Sequence, residues 1–186
     1  MRITGGKARG IQLSFPKTIR PALDQMRERL FSSIGERVIE TNVLDLFSGT
    51  GSYGLEAISR GASTATLVEF DRNSIACIQS NIKAVCKSNG TSPSNITVQQ
   101  SDVLRWTPVT HHHYDIIFID PPYDMIEENI DKLFSLLDKS LTLAPNGLIA
   151  FEMPGKLEFE PQGWSLKKRL GKGKASPTIV IYQRNI

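Results

Sequence analysis

Val43-Leu44-Asp45-Leu46-Phe47-Ser48-Gly49-Thr50-Gly51-Ser52-Tyr53-Gly54 runs from an apolar stretch through a glycine-rich turn into a helical pattern. Val43–Phe47 reads as a strand and residues 52–60 as a helix. Gly49, Gly51 and Gly54 match GxGxxG, whose glycines let the backbone turn tightly and approach a ligand closely. The junction announces an α/β domain that binds something at a strand's C-terminal end. Alone it does not separate a dinucleotide site from other nucleotide-like ligands.

The alternation continues outward. Ala65–Phe70 reads as a strand, and Ile75, Ile78, Ile82 and Val85 mark a helix that ends before the loop Ser88–Asn95. Ile96–Gln100 and Tyr114–Asp120 are strands. Ile130, Leu133, Phe134 and Leu137 recur at helical spacing, and Gly147–Met153 is a strand. This alternation implies a parallel sheet with helices on both faces. Ser165–Leu170 and Thr178–Gln183 have no helix between them, so they read as a hairpin with one strand antiparallel. Upstream, Pro21 suits a first helical turn, and Leu23, Met26, Leu30, Phe31 and Ile34 predict an amphipathic helix near 22–39. Its polar positions include Arg27, Arg29 and Arg37. Residues 1–20 read as a basic extension with a possible small β hairpin from Arg2–Thr4 and Ile11–Ser14, and 21–186 as one domain.

The 186 residues, 40% apolar, suffice for one core. No apolar run approaches a membrane span, and no apolar signal region opens the chain, so a cytoplasmic protein is expected. Cys77 and Cys86 read as reduced core thiols. The net charge of +3 hides an asymmetry, because all 19 acids lie between positions 21 and 160. Residues 1–20 hold five basic residues and 161–186 hold six, with no acid in either stretch. Basic ends around an acidic body suit a phosphate backbone, bound through counterion release.

Acids stand at the ends of the first three strands. Asp45 lies before the glycine turn, where it repels a pyrophosphate but attracts an amino group. Glu69, twenty residues after Gly49, suits the two hydroxyls of a ribose. Asp102 suits an adenine amino group. A ligand with an amine, a ribose and an adenine but no phosphate is S-adenosylmethionine. The candidate donor-site residues are Asp45, Phe47, Gly49, Thr50, Gly51, Glu69, Asp102 and Val103.

Asp120-Pro121-Pro122-Tyr123 closes the fourth strand and supplies the reaction. An exocyclic amine is a poor nucleophile because its lone pair is delocalised into the ring. Asp120 and the Pro121 carbonyl can each accept one amine hydrogen, which favours a pyramidal nitrogen. Pro122 has no N–H and a fixed φ, and Tyr123 offers a stacking face. The base must leave its stack to arrive there. Elsewhere, His111-His112-His113 reads as a solvated loop, and no metal site is expected. Glu152, at the end of the Gly147 strand, lies close to the expected cleft and reads more readily as a simple strand-end acid than as a support for the site. Lys7, Arg9, Arg20, Arg27, Lys167, Lys168 and Arg169 are candidate phosphate contacts, with Lys172-Gly173-Lys174 beside them.

With these residues in place, the chain resembles the RsmD family of bacterial 16S ribosomal RNA (guanine-N2)-methyltransferases. The resemblance runs nearly the whole length. It rests on Met1-Arg2-Ile3, Gly6-Lys7-Ala8-Arg9-Gly10, Arg20-Pro21, Arg27-Glu28, Leu30-Phe31, Leu44 to Gly51, Gly54-Leu55-Glu56-Ala57, Ser59-Arg60-Gly61-Ala62, Val68-Glu69, Asp71 and Asp120 to Tyr123. Ala22, Gln25 and Leu170-Gly171 depart from the family's pattern, outside the donor and amine sites. The resemblance implies a Rossmann-like class I methyltransferase fold, a mostly parallel seven-stranded sheet with an antiparallel C-terminal strand. It implies S-adenosylmethionine as donor and a guanine in small-subunit ribosomal RNA as acceptor, within an assembled particle. A monomer is expected. The competing readings are a DNA adenine or cytosine amino-methyltransferase, a non-catalytic RNA-binding assembly factor and a dinucleotide oxidoreductase. The first would need a separate target-recognition region. The second has no need of the intact acids, and the third has no use for Asp120–Tyr123.

Overall fold

The computed structural model describes residues 1–16, 24–108, 113–139, 143–171, 173 and 176–185. Its elements are α1 (Asp24–Ile34), β1 (Asn42–Leu46), α2 (Ser52–Ser59), β2 (Thr64–Glu69), α3 (Arg72–Asn89), β3 (Ile96–Gln100), β4 (Tyr114–Ile119), α4 (Tyr123–Lys139), β5 (Leu143–Pro154), β6 (Trp164–Leu170) and β7 (Pro177–Arg184). The strands form one seven-stranded sheet in the order β3-β2-β1-β4-β5-β7-β6. β7 pairs antiparallel with both β5 and β6, whereas β1–β5 pair in parallel. The chain moves outward from β1 to β3, then returns to place β4 on the other side of β1. That reversal opens a crevice at the C-terminal ends of β1 and β4, where sheets of this kind bind ligands.

Each element follows from its residues. β1 and β4 are almost continuously apolar because helices and loops cover both faces of the sheet. Asp71 caps α3 by accepting the Ser74 N–H at 2.8 Å, and Gly90, at φ 71°, closes it in the left-handed conformation. α1, α2 and α3 pack Phe31, Leu55, Ile58, Ile78 and Ile82 on one face of the sheet. α4 packs Ile126, Ile130, Leu133, Phe134 and Leu137 on the other.

Two expectations change. The helix near 22–39 is shorter: α1 stops at Ile34, Gly35 takes φ 59°, and a 3₁₀ turn continues over Gly35–Val38. The expected basic extension is, in its described part, packed into the main core. Ile3, Ala8 and Leu13 are buried in the cluster of α1–α3, and one antiparallel bridge joins Arg2 to Gln12. Three apolar side chains anchor a segment whose polar residues alone would leave it loose. Arg20, Pro21, Ala22, Leu23, His111, His112, Lys172 and Lys174 lie outside the described residues. Among the described residues no helix is long and apolar enough to cross a membrane. Cys77 and Cys86 are free thiols, Cys86 buried.

Candidate active site

The glycine-rich loop is held by two of the acids that the strand ends supply. Asp45 is buried on β1, and its Oδ2 accepts the Gly54 N–H at 2.8 Å. Its Oδ1 is buried without a partner. Burial pushes its pKa from 3.8 to about 8, against the Gly54 N–H bond, which lowers it, and with the Glu69 charge, which raises it. Glu69 Oε2 accepts the Gly49 N–H at 2.7 Å, and its Oε1 accepts those of Phe70 and Asp71 at 2.8 Å each. The loop between them takes positive φ at Phe47 (58°), Gly49 (54°) and Gly51 (78°). Phe47 is the costly member, a bulky side chain in left-handed backbone, and such strain gathers at ligand sites. A Cβ on Gly54 would stand 2.3 Å from Leu67 and 3.3 Å from Asp45 Oδ2, so the helix start can approach Asp45 only as glycine.

Past β3, Asp102 accepts the Leu104 N–H at 2.9 Å, and Val103 is buried beneath it. Its other oxygen is 3.7 Å from Arg105 Nε. Thr50 is buried, and its carbonyl is tied through Asn81 Nδ2 to the carbonyl of Ser14. The loop, α3 and the N-terminal segment thereby share one side chain.

Asp120 follows β4 directly, and its N–H donates to Leu46 O of β1 at 3.4 Å. The Asp120–Tyr123 motif and the glycine loop therefore leave from neighbouring strands. Pro121 is buried, Pro122 is exposed, and Tyr123 opens α4 at 41% exposure. Burial, joined by the charges of Glu152 and Asp45, raises the Asp120 carboxyl well above the usual carboxylate range.

Two further residues join this cluster: Glu152, which the sequence set close to the cleft but favoured as a simple strand-end acid, and Tyr53, which it did not single out. Glu152 accepts the Tyr53 hydroxyl at 2.6 Å and faces that of Tyr123. The Tyr53 ring stacks on Phe118, with centroids 5.5 Å apart. Glu152 is raised by burial, and the two phenol hydroxyls oppose that rise. The signal for Glu152 was available in strand alignment, because Ile119 pairs with Phe151 and the next step sets Asp120 beside Glu152. Tyr53 had none, because only the tertiary approach of α2 brings it over β4.

The candidate phosphate contacts separate. Lys7 and Arg9 are exposed on a turn docked at the C-terminal end of α2, where the Lys7 N–H donates to Ser59 O at 2.8 Å. That is the far end of α2 from the glycine-rich loop. Lys167 and Lys168 are exposed on β6. Lys168 and Arg169 line a groove of about 800 Å³ with Arg29, Glu28 and Gln25 of α1. The Arg169 guanidinium also donates to the carbonyls of Gly155 and Leu157. Arg27 is a correction. It is fully buried, paired with Glu56 and Asp24, and presents nothing to a phosphate. Its helix position faces α2, and the acid there keeps the cation inside. Among the described residues no group of His, Cys, Asp and Glu could hold a metal ion.

This geometry has close relatives. A family model described as "Conserved hypothetical protein 95" matches residues 1–183. Ribosomal RNA small subunit methyltransferase D of Escherichia coli K12 is 34% identical over 99% of this chain and 90% of that protein. The chain belongs to the ribosomal RNA small subunit methyltransferase D family. The family's Haemophilus influenzae member is 31% identical over 95% of this chain and 91% of its own length. Among solved structures, the Escherichia coli protein yhhF superposes with TM-score 0.82 at 31% identity, covering 99% of this chain and 97% of that one. A hypothetical protein of Thermus thermophilus gives 0.78 at 28% identity, covering 98% and 99%. As a member of the family the chain is a methyltransferase with a Rossmann-like class I fold.

Proposed function

We propose that the chain transfers a methyl group from S-adenosylmethionine to the exocyclic N2 amine of a guanine in small-subunit ribosomal RNA, acting as a cytoplasmic monomer on the assembled particle. One observation carries the reading. The acceptor motif at Asp120 is bonded to the end of β1, close to Asp45, whose Oδ1 is buried without a partner.

The residues present fit the donor. The orphaned Asp45 oxygen suits its amino group, Glu69 its ribose hydroxyls, and Asp102 with Val103 its adenine, around the loop Phe47–Gly51. When bound, the donor supplies an electrophilic methyl on a positive sulfonium. Asp120 and the Pro121 carbonyl accept the two hydrogens of the incoming amine and turn its lone pair toward the methyl. Tyr123, half in solvent at the mouth, stacks on the base. Asp120, its charged form favoured by the positive sulfonium nearby, takes as a carboxylate the proton that leaves the nitrogen after transfer. Alignment supplies much of the remaining rate. Lys167 and Lys168, with Lys7, Arg9 and Arg20, supply phosphate contacts.

The test is transfer of labelled methyl groups to naked ribosomal RNA, small subunits and DNA, followed by digestion to nucleosides. N2-methylguanosine from small subunits is expected. Label in DNA or in another nucleoside contradicts the reading.

A further inference from the structure

We infer that Glu152 reads the base: its carboxylate accepts the guanine N1–H while Asp120 and the Pro121 carbonyl hold the N2 hydrogens. This rests on the guanine-N2 reading above and adds what selects the base. β4 and β5 run parallel and in register through Ile119 and Phe151. Asp120 and Glu152 are the next residues on each strand. Neighbouring strands lie about 4.8 Å apart and alternate residues share a face. The two carboxyls therefore emerge side by side, on the face of Phe118 and Ala150.

Glu152 is also aimed. The Tyr53 hydroxyl holds its Oε2 at 2.6 Å, and the Tyr53 ring is itself stacked on Phe118. Phe118 in turn packs against Phe31 of α1, with centroids 5.4 Å apart. A solvated strand-end acid needs no such support. Two partly buried carboxyls side by side repel each other, so the arrangement favours a ligand that brings adjacent donors. Guanine presents N1–H and N2–H next to one another. Adenine and cytosine each place a ring acceptor beside the amine, and that acceptor would confront a carboxylate.

The experiment compares kcat/KM for substrates carrying guanine or 2-aminopurine at the methylated position. 2-Aminopurine keeps the N2 amine and lacks the N1–H. The wild type should prefer guanine by about 10–100-fold, the range of a hydrogen bond to a charged group. Glu152→Gln should bring the two substrates within about threefold, because an amide serves either ring nitrogen. Tyr53→Phe, which leaves the Glu152 carboxylate held by the Tyr123 hydroxyl alone, should give an intermediate ratio. It carries the test if Glu152→Gln fails to bind S-adenosylmethionine. An unchanged ratio in both variants, whatever the loss of rate, overturns the role of Glu152. A wild-type product other than N2-methylguanosine overturns the underlying reading itself.

Discussion

Arg27 Nε donates to Glu56 Oε2 at 3.2 Å with both side chains wholly excluded from solvent. The pair ties three segments together. Arg27 Nη2 also donates to Asp24 at 2.9 Å and to the Arg2 carbonyl, while Thr4 donates to Glu56 from its N–H and its hydroxyl, each at 2.8 Å. Arg60 adds a second cation on Glu56 at 2.8 Å. Removing Arg27 strips a buried acid of a principal partner, which costs about 3–5 kcal/mol. Arg27→Met should lower the melting temperature by roughly 10 °C. Its folded fraction should keep the wild-type salt dependence of RNA binding, as measured by filter binding at several salt concentrations.

That residue shows where the sequence was readable and where it was not. The strand and helix runs, the glycine loop and the strand-end acids depend on local pattern, so they placed Asp45, Glu69, Asp102 and Asp120 at strand ends. Arg27 was expected at the surface because charge is normally solvated. Its partner Glu56 is 29 residues away on another helix. The anchoring of Ile3, Ala8 and Leu13 and the reach of Tyr53 to Glu152 are likewise tertiary facts that no periodicity carries.

Asp45 should make donor binding pH-dependent. Its pKa of about 8 means that burial favours the neutral form, whereas an ammonium partner needs the carboxylate. Affinity for S-adenosylmethionine should fall as pH drops from 8 to 6, by up to about tenfold per unit. Asp45→Asn should bind at least tenfold more weakly at pH 8, about the value of one charged hydrogen bond, and lose the pH dependence in calorimetry.

The same carboxyl sets a stability trend. A folded-state pKa raised from 3.8 to about 8 gives stability that is full below pH 4 and is lost as pH rises toward 8. Asp45→Asn should therefore melt at least about 2–4 °C above the wild type at pH 8.5. The difference should shrink at pH 5.

Gly6 sits at φ 76°, and a Cβ there would lie 1.9 Å from Ser59 O, a backbone atom that cannot swing aside. Gly6→Ala should undock the N-terminal turn and cost roughly 1–3 kcal/mol. Faster proteolysis before Leu13, with methyl transfer retained at low temperature, is the expected pattern.

Lys167 and Lys168 should matter through charge alone. The double reversal to Glu should weaken RNA binding and flatten its salt slope by at least about 1.5. Arg169→Glu should in addition loosen the turn at Gly155 and Leu157, whose carbonyls it holds. Hydrogen exchange there should rise in that variant and not in the lysine pair.

The central claim is that Asp120 handles the amine and not the donor. Single-turnover methyl transfer by Asp120→Ala, measured beside calorimetric S-adenosylmethionine binding, tests it most directly. Transfer should fall by at least about 10³-fold, since both the amine alignment and the proton acceptor are lost, while donor affinity stays within about threefold. Transfer at the wild-type rate, or a loss of donor binding that accounts for the whole effect, would contradict it.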